Sequence, residues 1–155
     1  MNDDRVKFEN LSDSALKAEI DIKATPEKVY AAWTQSDQFV KWFGPRADGR
    51  LEVDKFDCSV GGGYDVTMVF ADGDRVQLTG SYQELDPPKK IVLTWQWAPT
   101  GAAPSYETLV TVDLVPTDLG THLTLTHERF ATAETRDEHK GWGPILTKLA
   151  VLFDN

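Results

Sequence analysis

Chemistry in this chain would start from rings. Tyr64, Met68, Tyr82, Trp95, Trp97 and His127 occupy positions whose parity along alternating segments puts them on one side, among aliphatics such as Val112. Apolar walls with a few converging polar tips are the usual make-up of a small-molecule site. Large aromatics supply stacking surface, and the tyrosine hydroxyls and the imidazole can fix an orientation. The same set would also serve as a filled core in which each polar tip finds a local partner. His127 stands out because its parity neighbours Leu123 and Leu125 are apolar, so its ring needs a partner or a ligand. A general base there would want an orienting carboxylate. Glu128 points to the other face, and Glu84 reaches His127 only if the strand pairing brings it there. A satisfied structural histidine is the first expectation, a ligand contact the second and catalysis the third.

The remaining candidates carry less. His122, His127 and His139 with Cys58 lack the close spacing of a preformed metal site, and there is no His-Glu-x-x-His run. No metal or cofactor is expected. Cys58 has no basic residue nearer than Lys55 to depress its pKa, which argues against a nucleophile. Gly61-Gly62-Gly63 runs on into alternating residues rather than a helix, so it reads as a turn or bulge and not as a phosphate cradle. No residue is assigned a catalytic role.

Composition narrows the partners. The 155 residues hold 16 Lys and Arg against 25 Asp and Glu, a net charge of −9. That balance argues against nucleic-acid backbones and anionic lipid surfaces, both of which need clustered cations. One cysteine excludes an intrachain disulfide. No window approaches the roughly 18 apolar residues of a membrane-spanning helix, and no apolar run follows the N-terminus as in a secretory signal. The cytoplasm is the expected location. Residues 1–12 are expected to be a flexible leader, and 13–155 one domain, a length that buries enough surface to fold without staples.

The elements that must position the rings follow from periodicity. Leu16, Ala18, Ile20 and Ile22 alternate with charged residues as a strand wet on one side. Thr25-Pro26-Glu27 starts a helix through a cap and a proline at its first position, and Ser36 or Asp37 starts a second short one. Period two then holds for about six antiparallel strands, with an Asp72-Gly73 hairpin between two of them and breaks at Asp86-Pro87-Pro88-Lys89, Ala98 to Pro104 and Pro116 to Gly120. After Ala133 the pattern is helical, with His139, Trp142, Leu146, Leu149 and Phe153 on one stripe and Gly141, Gly143 and Pro144 marking a kink or a two-piece helix. Strands followed by a terminal helix imply an α+β fold with the helix on one face of a curved antiparallel sheet.

This order and a set of local strings resemble the START-like (SRPBCC), helix-grip superfamily, and within it the activator of heat-shock protein 90 ATPase homologue domain. The matching strings are Ala24-Thr25-Pro26-Glu27-Lys28-Val29, Phe39-Val40-Lys41-Trp42-Phe43-Gly44-Pro45, Val60-Gly61-Gly62-Gly63-Tyr64, Asp72-Gly73, Gly80-Ser81-Tyr82, Ile91-Val92-Leu93-Thr94-Trp95, Gly120-Thr121-His122-Leu123-Thr124-Leu125 and His139-Lys140-Gly141-Trp142. The resemblance spans about residues 13 to 153. It implies a sheet gripping the C-terminal helix over a cavity, where Trp142 and Leu146 of that helix would join the sheet-face rings. Trp42-Phe43-Gly44-Pro45, which ends the second short helix, either packs to close one end of the fold or, with the loop Ala98 to Pro104, frames the cavity mouth. The resemblance does not imply one reaction, since such a fold hosts many. The first functional expectation is a carrier or sensor of a small apolar or aromatic ligand. A co-chaperone or protein-interaction module with a chaperone partner is the alternative, and a cavity enzyme of cyclase or hydrolase type the second alternative. Monomer and homodimer are both compatible with exposed strand edges.

Overall fold

Alternation makes the strands here, and each strand runs as far as one face can be buried. The computed structural model describes residues 5–43, 50–97, 107–138 and 142–154. Strands β1 (Lys7–Ser12) and β2 (Ala15–Ile22) precede helices α1 (Pro26–Thr34) and α2 (Ser36–Phe39). Strands β3 (Arg50–Phe56), β4 (Gly63–Val69), β5 (Arg75–Asp86), β6 (Lys90–Trp97), β7 (Thr108–Pro116) and β8 (Thr121–Glu128) follow, then helices α3 (Ala133–Glu138) and α4 (Trp142–Leu152). All eight strands form one antiparallel sheet in the order β1-β2-β8-β7-β6-β5-β4-β3.

The chain closes on itself because β2, made before the helices, pairs with β8, made after every other strand. Leu16 lies opposite His127, and Ala18 opposite Leu125, so the buried faces of the two strands coincide. Ladder irregularities between Asn10 and Ser12, Val53 and Lys55, and Tyr82 and Glu84 bend the outer half of the sheet, as bulges do. Helix α4 packs on β2 and α1 against β7, so helices cover the concave face. The inward residues of β6, β7 and β8 (Ile91, Leu93, Trp95; Val110, Val112, Leu114; Leu123, Leu125, His127) are buried against Leu146, Leu149 and the two short helices in one apolar cluster.

Local chemistry explains the ends. Thr25 caps α1 by accepting from the Lys28 amide at 3.4 Å, with Pro26 at the first helical position. The β4–β5 hairpin turns at Gly73, whose φ of +95° a side chain would disfavour, and Asp72 accepts from the Asp74 amide at 2.9 Å. The Gly61-Gly62-Gly63 run is a turn that leads into β4, which settles it against a phosphate cradle. Helices α3 and α4 lie on either side of residues 139–141, so the helical stripe from Trp142 onward is present, while His139 and Gly141 lie outside the described residues.

One expectation changes. Residues 7–12 do not form a leader but strand β1, paired with β2 from Lys7 opposite Glu19. Charged residues flank Phe8 on both sides, so the edge strand shows no alternation to read. Its order comes from backbone pairing, from buried Val6, and from Arg5, whose guanidinium grips the Asp154 carboxylate at 2.8 and 3.2 Å.

Candidate functional site

The aromatic side chains expected on the inner face do meet. Trp95 of β6 is the hub: its ring centroid lies 4.9 Å from Trp142, 5.6 Å from Phe43, 5.8 Å from Trp97 and His127, and 6.5 Å from Tyr64. Trp142 continues the set to Trp33 of α1 at 6.2 Å, and Trp33 packs on Trp42 at 4.8 Å. All five tryptophans are thus linked ring to ring, drawn from α1, the segment after α2, β6 and α4. Tyr64 and Tyr82 add to the sheet side at 5.6 Å from one another, with Met68, Val112 and Leu146 buried in the same apolar cluster. Trp97 is only half-buried and marks the edge of the set.

Trp42 and Phe43 occupy packed interior rather than a rim. Trp42 is fully buried with its indole N–H donating to the Ala32 carbonyl at 3.0 Å, and Phe43 stacks on Phe39 at 4.6 Å. The other expected parts of a mouth, Gly44-Pro45 and Ala98 to Pro104, lie outside the described residues.

His127 resolves in favour of structure. It is fully buried, and both ring nitrogens are engaged. The Trp142 indole can only donate, and it meets Nδ1 at 3.1 Å, so Nδ1 is the unprotonated nitrogen. Nε2 therefore carries the proton and donates to Thr108 Oγ1 at 2.7 Å, while the Thr108 hydroxyl donates to the Trp95 carbonyl at 2.8 Å. A neutral imidazole thus ties α4 to β8, β7 and β6 through four groups in series. Phe130, brought back by the left-handed Arg129 (φ 74°), packs on the imidazole at 4.4 Å. Glu84 sits on β5 and β8 is three places away in the sheet order, so the pairing does not bring it to His127. The imidazole serves as a link and not as an oriented base.

The tyrosines are spent in the same way. Tyr64 donates to the Thr94 carbonyl at 2.6 Å, and burial, followed by Tyr82 and Glu107, holds its hydroxyl well above the usual tyrosine pKa. Its ring crosses directly over Gly80, its partner in the β4–β5 ladder. A Cβ at Gly80 would collide with the Thr94 carbonyl and with the Tyr64 ring. Tyr82 hydrogen-bonds to the Cys58 sulfur, and burial first, then Cys58, pushes its hydroxyl up. Burial likewise raises the Cys58 thiol, an inert arrangement for a nucleophile. Among the described residues no group of His, Cys, Asp and Glu could hold a metal ion, and no helix is long and apolar enough to cross a membrane.

Two participants were invisible as candidates. Thr108 and Thr94 are buried polar residues, the first two positions before Val110 on its inward parity, the second on the outward parity of β6. Inward parity at Thr108 was the signal available for the first. The second depends on the β5–β6 pairing, where Thr94 accepts from the Ser81 amide at 2.8 Å.

A single curved antiparallel sheet, in which β2 pairs with the last strand β8, holding a C-terminal helix against an aromatic inner face, defines the START-like helix-grip class. Within it, the family described as activator of Hsp90 ATPase homolog 1-like protein matches residues 23–154, and the chain belongs to that family. Solved structures agree. A protein from Chromobacterium violaceum superposes with a TM-score of 0.80 at 26% identity, covering 92% of this chain and 99% of its own. One from Rhodobacter sphaeroides gives 0.80 at 25% identity over 95% and 96% of the two chains. The AHSA1 protein from Silicibacter pomeroyi gives 0.78 at 25% identity over 90% and 96%. No curated protein matches the chain.

Proposed function

We propose that this chain is a small-molecule binding domain, a carrier or sensor that holds an apolar or aromatic ligand between the sheet and helix α4. The observation that carries the reading is the convergence of Trp33, Phe43, Trp95 and Trp142, from two helices, the segment after α2 and the sheet, on one interior region. Rings of this size offer stacking faces and hold few conformations, properties that serve ligand recognition. The −9 charge and the exposed positions of most acids fit a protein working in the cytoplasm away from membranes and nucleic acid. The test is a thermal-shift screen of lipids, sterols, flavonoids and aromatic acids, since a ligand at a hundredfold its Kd stabilises by about 2.7 kcal/mol. A hit that also quenches tryptophan fluorescence supports the reading, and a screen without one sinks it.

The family description keeps a second reading in view, an interaction module for a chaperone. A pull-down that recovers the cognate Hsp90 with this chain as bait would favour it. Enzymatic use of the same interior is disfavoured by the engagement of His127, Tyr64 and Tyr82 in structural hydrogen bonds.

A further inference from the structure

The indole N–H groups of this interior divide into two kinds. Trp42 donates to Ala32 and Trp142 donates to His127. The rings of Trp33 and Trp95 are 3% and 2% exposed, and neither Nε1 has an acceptor. A buried donor without a partner costs about 1–3 kcal/mol, and native proteins keep few of them. Here there are two, on rings that flank the same third ring, at 6.2 and 4.9 Å from Trp142. The Thr147 hydroxyl, on the helix that carries Trp142, is a third unpartnered polar atom. The acceptors known around these rings serve other donors: the Trp95 carbonyl takes the Thr108 hydroxyl, the Thr94 carbonyl takes Tyr64, and His127 Nδ1 takes Trp142. Neither indole donor is matched by an acceptor among the described residues.

Their chemistry selects the complement. An indole N–H donates and never accepts, so the partner must present an acceptor oxygen or nitrogen. The described ring neighbours of Trp33 and Trp95 are Phe39, Trp42, Phe43, Tyr64, Trp97, His127 and Trp142, with the imidazole held neutral by its hydrogen bonds. None of these described rings carries a positive charge, and a buried carboxylate without a counter-charge is heavily penalised. A neutral carbonyl oxygen carries no such penalty. We propose that the ligand is an aromatic or polycyclic molecule bearing a neutral carbonyl, whose oxygen accepts from the indole N–H of Trp33 or Trp95. This rests on the small-molecule reading above and specifies the chemical class of ligand.

The test compares fluorene with fluorenone, planar tricycles of one shape that differ by a methylene against a carbonyl, and adds fluorene carboxylate as the anionic arm. Each is titrated into the full chain by tryptophan fluorescence and calorimetry. The expected result is fluorenone binding about tenfold tighter than fluorene, the worth of one good hydrogen bond, with the carboxylate weaker than both. Trp33→Phe or Trp95→Phe should erase that preference, while Trp42→Phe, whose N–H is already used by Ala32, should keep it. Equal binding of fluorene and fluorenone overturns the carbonyl assignment and leaves the binding function standing. So does a preference that survives the paired Trp33→Phe, Trp95→Phe variant, or a carboxylate that binds best. Binding of none of the three defeats the binding function as well. The wild-type comparison decides the matter even where a variant fails to fold.

Discussion

Of the polar atoms gathered around the Trp142 ring, one set is fully used and another is not. The His127 set runs Trp142 to His127 to Thr108 to the Trp95 carbonyl with each donor matched to an acceptor. The Trp33 and Trp95 indoles, in ring contact with the same Trp142, end in N–H groups that meet nothing. Both sets are equally buried, so solvent does not explain the difference. A fully satisfied buried network specifies one arrangement of strands and helix and resists change, whereas unpartnered donors contribute nothing to folding and are costly to keep. The first set therefore reads as scaffold and the second as the part of the interior available to function.

The largest effect should come from breaking the scaffold set. His127→Leu keeps the volume but leaves the Trp142 N–H buried without an acceptor and takes the donor from Thr108, a loss of about 3 kcal/mol of stability. His127→Gln, which can both donate and accept, should recover part of it. Denaturant melts of the three proteins decide this, and a His127→Leu variant as stable as wild type would erase the contrast between the two sets. Next comes Gly80→Ala, which drives a methyl into the Thr94 carbonyl and the Tyr64 ring. Because a backbone carbonyl of the neighbouring strand cannot step aside, a cost of about 2 kcal/mol is expected, and Tyr64→Phe in the same background should not relieve it.

How much of this could be read beforehand depends on whether a residue's partner lies in its own segment. Period two along Leu123-Leu125-His127 and Ile91-Leu93-Trp95 placed those side chains inward, and the glycine turns and capped α1 punctuated the order correctly. The α+β helix-grip architecture was legible apart from strand β1. What parity could not give was pairing. That Thr108 stands opposite Trp95, and that Tyr64 lies across Gly80, are facts of register set by hairpins and by bulges at Val53/Lys55 and Tyr82/Glu84. Strand β1 escaped notice because an edge strand needs only backbone pairing, which leaves no hydrophobic signature around Phe8. The unpartnered indoles were beyond reach for a similar reason: a sequence shows a donor but not whether an acceptor arrives.

A smaller effect appears at high pH. Burial raises the hydroxyls of Tyr30, Tyr64 and Tyr82, and Tyr30 reaches about 12, with Cys58 and Asp86 adding to it. A folded pKa above the ordinary tyrosine value of 10 means that the folded chain holds a proton the unfolded chain has released. The stability from Tyr30 is complete below pH 10 and is lost as the pH climbs through about 12. Melting temperatures should fall over that window, and near-ultraviolet phenolate absorbance from these three residues should rise only as the chain unfolds. Absorbance rising for all of them near pH 10 in folded protein would contradict the burial of Tyr64 and Tyr82.

The smallest effect is the most telling, because it makes one chemical change at several places in one cluster. Trp142→Phe, Trp95→Phe and Trp33→Phe each delete an indole N–H and about the same ring volume, so the cavity cost is shared. They differ in what the N–H was doing. Trp142→Phe also leaves His127 Nδ1 without its donor, whereas Trp95→Phe and Trp33→Phe remove donors that had no acceptor, which returns part of the cavity cost. The expected order has Trp142→Phe less stable than either of the others by about 1 kcal/mol, with Trp42→Phe, which frees the Ala32 carbonyl, beside Trp142→Phe. Ligand should invert the order. A molecule whose carbonyl takes one of the two spare donors raises the melting temperature of wild type, Trp42→Phe and Trp142→Phe, and adds less to whichever of Trp33→Phe and Trp95→Phe lacks that donor. Stability and ligand response then vary oppositely across four tryptophans that differ by no more than the partner of a single hydrogen.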